Sequence, residues 1–573
     1  MNRLHARLGS RARAATGFTS QPEPRTIGSF ARGRQLVAGN FQFAGYLIED
    51  KDAGLWNLKM PSAMFKQEVH GFRWLDDLAS VGDGPARMAA QDWVFEWIDR
   101  YGSGHGVGWT PDLTGRRLIR WINHALFLLQ GREAKDSEAY FKSLAHQTIF
   151  LSKRWKVASA GLPRFEALTG LIYAGLALNG MDEHVKPAVK ALARECREQI
   201  DAEGGIATRN PEELLEVFSL LIWAASALSE AGWIAKAEHL AAIERIAPTL
   251  RALRHSDGGL ARFHGGGRGI EGRLDHALAS SGVRAESAAG LQMGYARLKA
   301  GRSSVIVDAS RPPQGKNSYH GHASTLAFEL TSGRRSLIVN CGSGISFGEE
   351  WQRAGRATAS HSVLGIEGYS SSRLAAAVAG MPNELVHTPK IVDIKQSSDK
   401  AGASIEVSHD GYEKSHGLIH SRRIDQSING RMLSGDDILT AYTETDKRRF
   451  DHAMDATGLQ GLTYSVRFHL HPDVDAALDM GGGAVSLALR SGEIWVFRHG
   501  GEGELSLEPS VYLEKNRLKP RATKQIVLSA RALGYASRVS WSLNKAQDTP
   551  DSLRDLTRDD DEILQTTPNG ETE

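Results

Sequence analysis

Hydrophobic periodicity changes once along this chain, and the change limits the folds open to it. Up to about residue 254, apolar residues recur with helical spacing, at 63–81, 84–101, 113–129, 135–154, 165–178, 184–199, 211–231 and 236–254. Gly, Pro or Asp stand at the joints between these segments. The segment from 211 shows the logic. Asn210 can cap it, Pro211 suits a first turn, and Glu213 stands three residues after the cap. Leu214, Leu215, Phe218, Leu221 and Ile222 then form one inward stripe. Many such helices in series predict a solenoid or a closed toroid, and periodicity does not choose between them. After Gly265-Gly-Gly-Arg-Gly269, which reads as a flexible connector, one helical stretch near 274–282 remains. Beyond residue 289 the pattern is strand-like, at 305–307, 324–330, 335–340, 402–408, 463–470, 483–489, 493–498, 524–530 and 536–542. Stacked antiparallel sheets are expected there.

The predicted order is a flexible basic arm over 1–30, a helical domain over 31–290, a β domain over 291–545 and a disordered acidic tail over 546–573. Arg3, Arg7, Arg11 and Arg13 make the arm basic, with no acid in the first 20 residues. The stretch 551–573 holds eight acids against two arginines. A length of 573 residues exceeds one ordinary core. A formal charge of +2 carries no nucleic-acid footprint. Cys196 and Cys341 are the only cysteines, too few for a disulfide framework. No apolar run reaches the length of a transmembrane segment, and none follows the basic arm as a secretory signal requires. The sequence carries no sign of oligomeric state.

Chemistry-bearing residues concentrate in the second half. His320 and His322 sit in a polar loop ahead of Leu326, Phe328 and Leu330. Two imidazoles at this spacing can share a metal, or one can carry a proton; ordinary loop histidines are the competing reading. Arg356 can hold an acidic sugar carboxylate bidentately, or make a rim salt bridge. Tyr412, in Ser408-His-Asp-Gly-Tyr412, can be a phenolic base or a sugar platform, although Asp410-Gly411 is also an ordinary turn. Arg467, His469 and His471 share one strand face, read as a surface face. Arg209-Asn210 precedes a helix amino terminus that attracts anions, and helix capping explains it equally. Phosphate-binding and dinucleotide-binding loops and the serine nucleophile elbow are absent from the sequence.

These phrases together resemble the heparinase II/III-like polysaccharide lyase family, over most of residues 30–545. Asp257-Gly-Gly-Leu-Ala-Arg-Phe-His264, His320-Gly-His-Ala-Ser-Thr-Leu-Ala-Phe-Glu-Leu330, Leu337-Ile-Val-Asn-Cys-Gly342, Thr358-Ala-Ser-His-Ser362 and Ser408-His-Asp-Gly-Tyr412 carry the likeness. It implies an N-terminal incomplete (α/α) toroid followed by a C-terminal antiparallel β-sandwich. It also implies β-elimination on a uronate-containing acidic glycan, heparin-like or bacterial. A base takes the C5 proton, and the carboxylate is neutralised so that the developing charge is tolerated. By the resemblance, His320 is the catalytic histidine. His322, Asn340 and His361 fall at the places of a structural zinc site, where the family has an aspartate at the position of Asn340. Pro163-Arg164 stands where the family has an Asn-His pair that contacts the uronate, and Glu213 stands where it has the catalytic tyrosine.

The expectation is therefore a divergent lyase. His320 is the leading acid/base, Tyr412 and Glu213 are further catalytic candidates, and Arg164, Arg209, Asn210 and Arg356 bind the acidic sugar. The competing classes are a non-catalytic acidic-glycan-binding scaffold and a hydrolase that pairs Glu213 with a second carboxylate. The family suggests the periplasm or cell envelope; the missing signal peptide suggests the cytoplasm.

Overall fold

A computed structural model describes residues 1–9, 15–286, 290–376, 383–501, 503–515 and 517–550. The acidic tail lies outside the described residues, apart from 546–550. The chain divides into two compact units. The first comprises 1–204, 213–247 and 275–285; the second comprises 205–212, 248–274 and 286 onward. The division is not the single crossing near 290 that the change of periodicity suggests, because two short segments of the helical half belong with the second unit.

The first unit is helical. Its longer helices are Gly84–Tyr101, Pro111–Asn123, Ala134–Arg154, Leu162–Ala177 and Val185–Gln199, joined by most of Pro211–Glu230. Side-chain caps open some of the unit's helices: the Ser62 side chain accepts from the Phe65 N–H ahead of Ala63–His70, and the Asp83 side chain accepts from the Ala86 N–H ahead of Gly84–Tyr101 with its first-turn Pro85. Two helices meet backbone to backbone at Gly115 and Gly170. A Cβ on Gly170 would come within 2.5 Å of the Gly115 Cα, so a side chain there would force the helices apart. Phe72, Trp74, Trp97, Trp109 and Trp121 are buried together, with the Arg117 guanidinium 4.0 Å from the Trp97 ring centre.

Residues 2–9 differ from the expected free arm. They form a helix, Asn2–Gly9, held by two hydrogen bonds from Arg154 to Asn2 Oδ1 (3.0 and 2.8 Å) and one from His146 to the Ala6 carbonyl. Farther along, the Thr19 N–H donates to the Ala177 carbonyl at 2.8 Å.

The second unit is built on two large antiparallel sheets. One runs Ile391–Ser398, Gly402–Tyr412, Leu418–Ser427, Met432–Thr440, Ala536–Gln547, Ile494–Gly500, Ala484–Leu489, Val474–Asp479. The other runs Glu504–Tyr512, Arg521–Ala532, Leu462–Leu470, Arg335–Val339, Phe328–Ser332, Ser303–Asp308, Tyr295–Ala300. They pack face to face through aromatics. Phe328 of the second sheet stacks on Trp541 of the first (5.7 Å, 2°), and Phe468 meets Phe497 and Trp541 at 4.9 Å each.

The strand expected over 324–330 begins only at Phe328. Leu326 has φ +67, outside the extended region, and the Ser324 hydroxyl is drawn to Asp308 at 2.7 Å. The face read as surface in the 463–470 strand is largely buried. His469 is held by Ser510 and the Ala359 carbonyl, and His471 is also enclosed.

Candidate functional site

The polar centre of the second unit forms around Asp308, the last residue of strand Ser303–Asp308. This carboxylate is fully buried. One oxygen accepts from Arg209 at 2.6 Å; the other accepts from Ser324 at 2.7 Å and faces His264 Nε2 at 3.4 Å. Burial opposes its charge, but the Arg209 guanidinium and these donors outweigh it and hold the pKa at about 2. Arg209 has φ +51, an uncommon backbone for a side-chain-bearing residue. Its side chain compensates by donating to the carbonyls of Met293, Gly294 and Arg311, while its own carbonyl accepts from the Tyr295 hydroxyl at 2.6 Å. Arg209 is thus a buried structural arginine, not the sugar-binding group expected from sequence.

From Asp308 the network passes into the histidines. The backbone N–H of His322 donates to His264 Nδ1 at 3.1 Å, so the His264 proton sits on Nε2, toward Asp308. His361 Nδ1 meets the Ala357 carbonyl at 2.8 Å, and a carbonyl only accepts. His361 Nε2 therefore carries the lone pair and accepts from His322 Nδ1–H at 3.0 Å. Burial lowers the pKa of all three rings, which favours these neutral tautomers.

His320 is the exception in this neighbourhood. Its side chain is exposed, and its ring nitrogens make no hydrogen bond among the described residues. Its pKa is lowered to about 4, first by the enclosure around the ring and then by the Lys515 and Arg356 charges, so the imidazole is neutral at neutral pH. Its position is fixed from two sides. Gly265, at φ +85, lies against it, where a Cβ would approach the His320 Cβ to 2.7 Å. Arg356 clamps the loop, donating to the carbonyls of Gly321 (2.8 Å), Ser318 (2.8 Å) and Asn383 (2.9 Å). Arg356 is buried with these protein acceptors, so it positions the histidine loop in place of the predicted contact with a carboxylate. Gly265–Gly269 is likewise not a loose connector: the Gly267 N–H donates to Glu212 at 2.8 Å, and Glu212 pairs with Lys515.

The residues at the places of the family's zinc site do not suit a zinc ion. Asn340 supplies no charge, and its Oδ1 accepts from the Ser362 N–H at 3.0 Å while its Nδ2 points to Glu329 at 3.4 Å. The lone pair of His361 is engaged by His322. Among the described residues, no group of three or more His, Cys, Asp or Glu side chains is placed to share a metal.

Tyr412 is fully buried, donates to the Leu364 carbonyl at 3.2 Å and has a pKa raised by burial. That is a packing position, not one for a base. The histidines around it form a closed chain. Gly411 N–H donates to His409 Nδ1, His409 Nε2 to His420 Nδ1 and His420 Nε2 to Asp437, at 3.0, 3.2 and 2.8 Å. Arg422 grips Asp437 with two nitrogens at 2.8 and 3.0 Å.

Asn210 accepts from the Glu212 N–H at 3.0 Å, as a helix cap does. In the first unit, Arg164 gives both Glu195 oxygens 3.1 Å contacts from one nitrogen and donates to the Ala158 carbonyl with two others. Glu213 also lies in the first unit, in helix Pro211–Glu230. The sequence reading missed Asp308, Asp437 and Lys515. Asp308 ends the apolar run Val305-Ile-Val307, a position that is rarely charged unless paired, and this was the available signal for it; Asp437, beside Asp436 and Gly435, has no such run around it.

Residues 282–542 match the model of the heparinase II/III-like C-terminal domain. That stretch, a little under half of the chain, is similar to this domain, and the fold of the chain is the incomplete α/α toroid plus β-sandwich of heparinases. Heparinase III superposes with a TM-score of 0.66 at 12% identity, covering 94% of this chain and 88% of that one. A mutant of heparan sulfate lyase HepC from Pedobacter heparinus superposes with a TM-score of 0.58 at 14% identity, covering 96% and 88%. The FtsZ-localized protein C of Caulobacter vibrioides (strain NA1000 / CB15N) is 29% identical over 554 residues, 93% of this chain and 91% of that protein.

Proposed function

We propose that this chain uses the heparinase fold as a scaffold that localises with FtsZ, and that it does not turn over acidic polysaccharide. The observation that carries the reading is the commitment of Arg164, Arg209 and Arg356 to protein acceptors. β-Elimination beside a uronate needs a cation to neutralise the carboxylate as charge develops, and these were the cations expected to do it. The burial of Tyr412 removes one candidate base. The likeness to the FtsZ-localized protein C spans nearly the whole of both chains, which supports a shared role.

A fluorescent fusion of the full chain, imaged before and after FtsZ depletion, tests the reading. Focused signal at the division site that disperses on depletion is expected. Signal indifferent to FtsZ would reject it.

One observation favours the lyase reading as the second choice. His320 is an exposed, neutral imidazole on a clamped loop, with no hydrogen-bond partner among the described residues, so a ring nitrogen is open to accept a proton, and a pKa of about 4 makes it a weak base. Under that reading His320 takes the C5 proton of a uronate, and His320→Ala abolishes turnover while leaving the fold intact.

A further inference from the structure

The first sheet ends in an exposed edge strand, Ile391–Ser398, with a bulge between Ile391 and Asp393. Among the described residues it pairs on one side only, with Gly402–Tyr412, and nearly every residue in it is exposed. Its outer edge offers unpaired backbone donors and acceptors, and its apolar Val392 and Ile394 are 56% and 38% exposed. An edge of this kind is a template for another strand.

The strand's charges say which strand fits. Asp393 and Lys395 are the only charged residues within it, and they stand on one face, paired with each other at 2.7 Å. In an antiparallel pairing of this strand with its own copy about a two-fold axis at Ile394, Asp393 of each chain lies opposite Lys395 of the other. The four charges close into an alternating ring, with directly opposed Cβ atoms about 4.5–5.5 Å apart. Registers centred on Asp393 or Lys395 put like charges face to face. We infer that the occupant of this edge is a second copy of the chain, joined through Ile391–Ser398 into a continuous sheet by an isologous two-fold contact. A contact one strand wide falls below the area of a standard stable interface, so the dimer is weak and concentration-dependent.

Sedimentation velocity of the full chain over a concentration series tests this, with Lys395→Asp and the double variant Asp393→Lys/Lys395→Asp beside it. Both side chains are about half exposed or more, at 49% and 66%, and thermal melting checks that the variants fold. The parent should shift toward twice the chain mass as concentration rises. Lys395→Asp opposes acids at two places and should weaken association roughly tenfold. The double variant restores the complementary ring and should recover it. A monomer at every concentration overturns the proposal. So does a dimer that ignores Lys395→Asp, or a double variant that fails to recover association.

Discussion

His320 and His322 are two residues apart and chemically opposite. The first is exposed, with no hydrogen-bond partner among the described residues; the second is buried, with its backbone N–H on His264 and its ring on His361. Removing the first should cost little: His320→Ala is expected to change unfolding free energy by less than about 0.5 kcal/mol. His322→Ala leaves His361 Nε2 buried without its donor and should cost about 1–3 kcal/mol, measurable by denaturant unfolding. Asp437→Ala should cost more, about 3–5 kcal/mol, because it strands the buried Arg422 guanidinium and His420. The spacing of His320 and His322 was legible in the sequence, but their different fates were not. His264, Asp308 and His361 come from three other segments, and no local pattern foretells that they meet.

Among elements, the clamped loop 318–322 matters most. Arg356→Ala should release three carbonyls and raise amide exchange across 318–322, with the sheets' protection kept. Arg356→Lys should recover little, since an ammonium cannot reproduce the planar fork. Exchange unchanged in both variants would contradict the clamp.

The longer helices were legible from their apolar stripes, as at 84–101 and 211–230, whereas the stretches 63–81 and 113–129, each expected as one helix, divide into Ala63–His70 with Trp74–Val81 and Pro111–Asn123 with Ala125–Leu129. Ile391–Ser398 was not legible, because exposure on both faces leaves no alternation to read. Leu418–Ser427 was missed for the opposite reason: His420 and Arg422 occupy buried positions that apolar residues ordinarily fill. Helix Glu444–Ala456, inside the β half, has a capping box at Thr443 and Asp446 that the search for strands passed over.

At the scale of the molecule, buried neutral histidines and buried carboxylates predict acid sensitivity. Burial lowers His239 and His469 to about 4 from an ordinary value of 6.5. Between these values the unfolded chain takes up protons that the fold refuses, so stability should fall as pH drops from about 6.5 toward 4. Asp308 and Asp437, held at about 2 from 3.8, extend the loss at lower pH as the native carboxylates protonate. Thermal midpoints taken from pH 7.5 to 4.5 should decline steadily, and a flat profile would contradict the assignment of neutral buried rings.

No helix among the described residues is long and apolar enough to cross a membrane. The two-part fold was legible from one change of period, while its use was not, because the fold is kept where the expected substrate-binding arginines are tied to the protein itself. The most direct test of that claim is ultraviolet absorbance of 4,5-unsaturated uronate, followed with the full chain on a panel of acidic polysaccharides and oligosaccharides. The account predicts no rise on any of them. A rise that His320→Ala abolishes would contradict it and make this chain a working lyase.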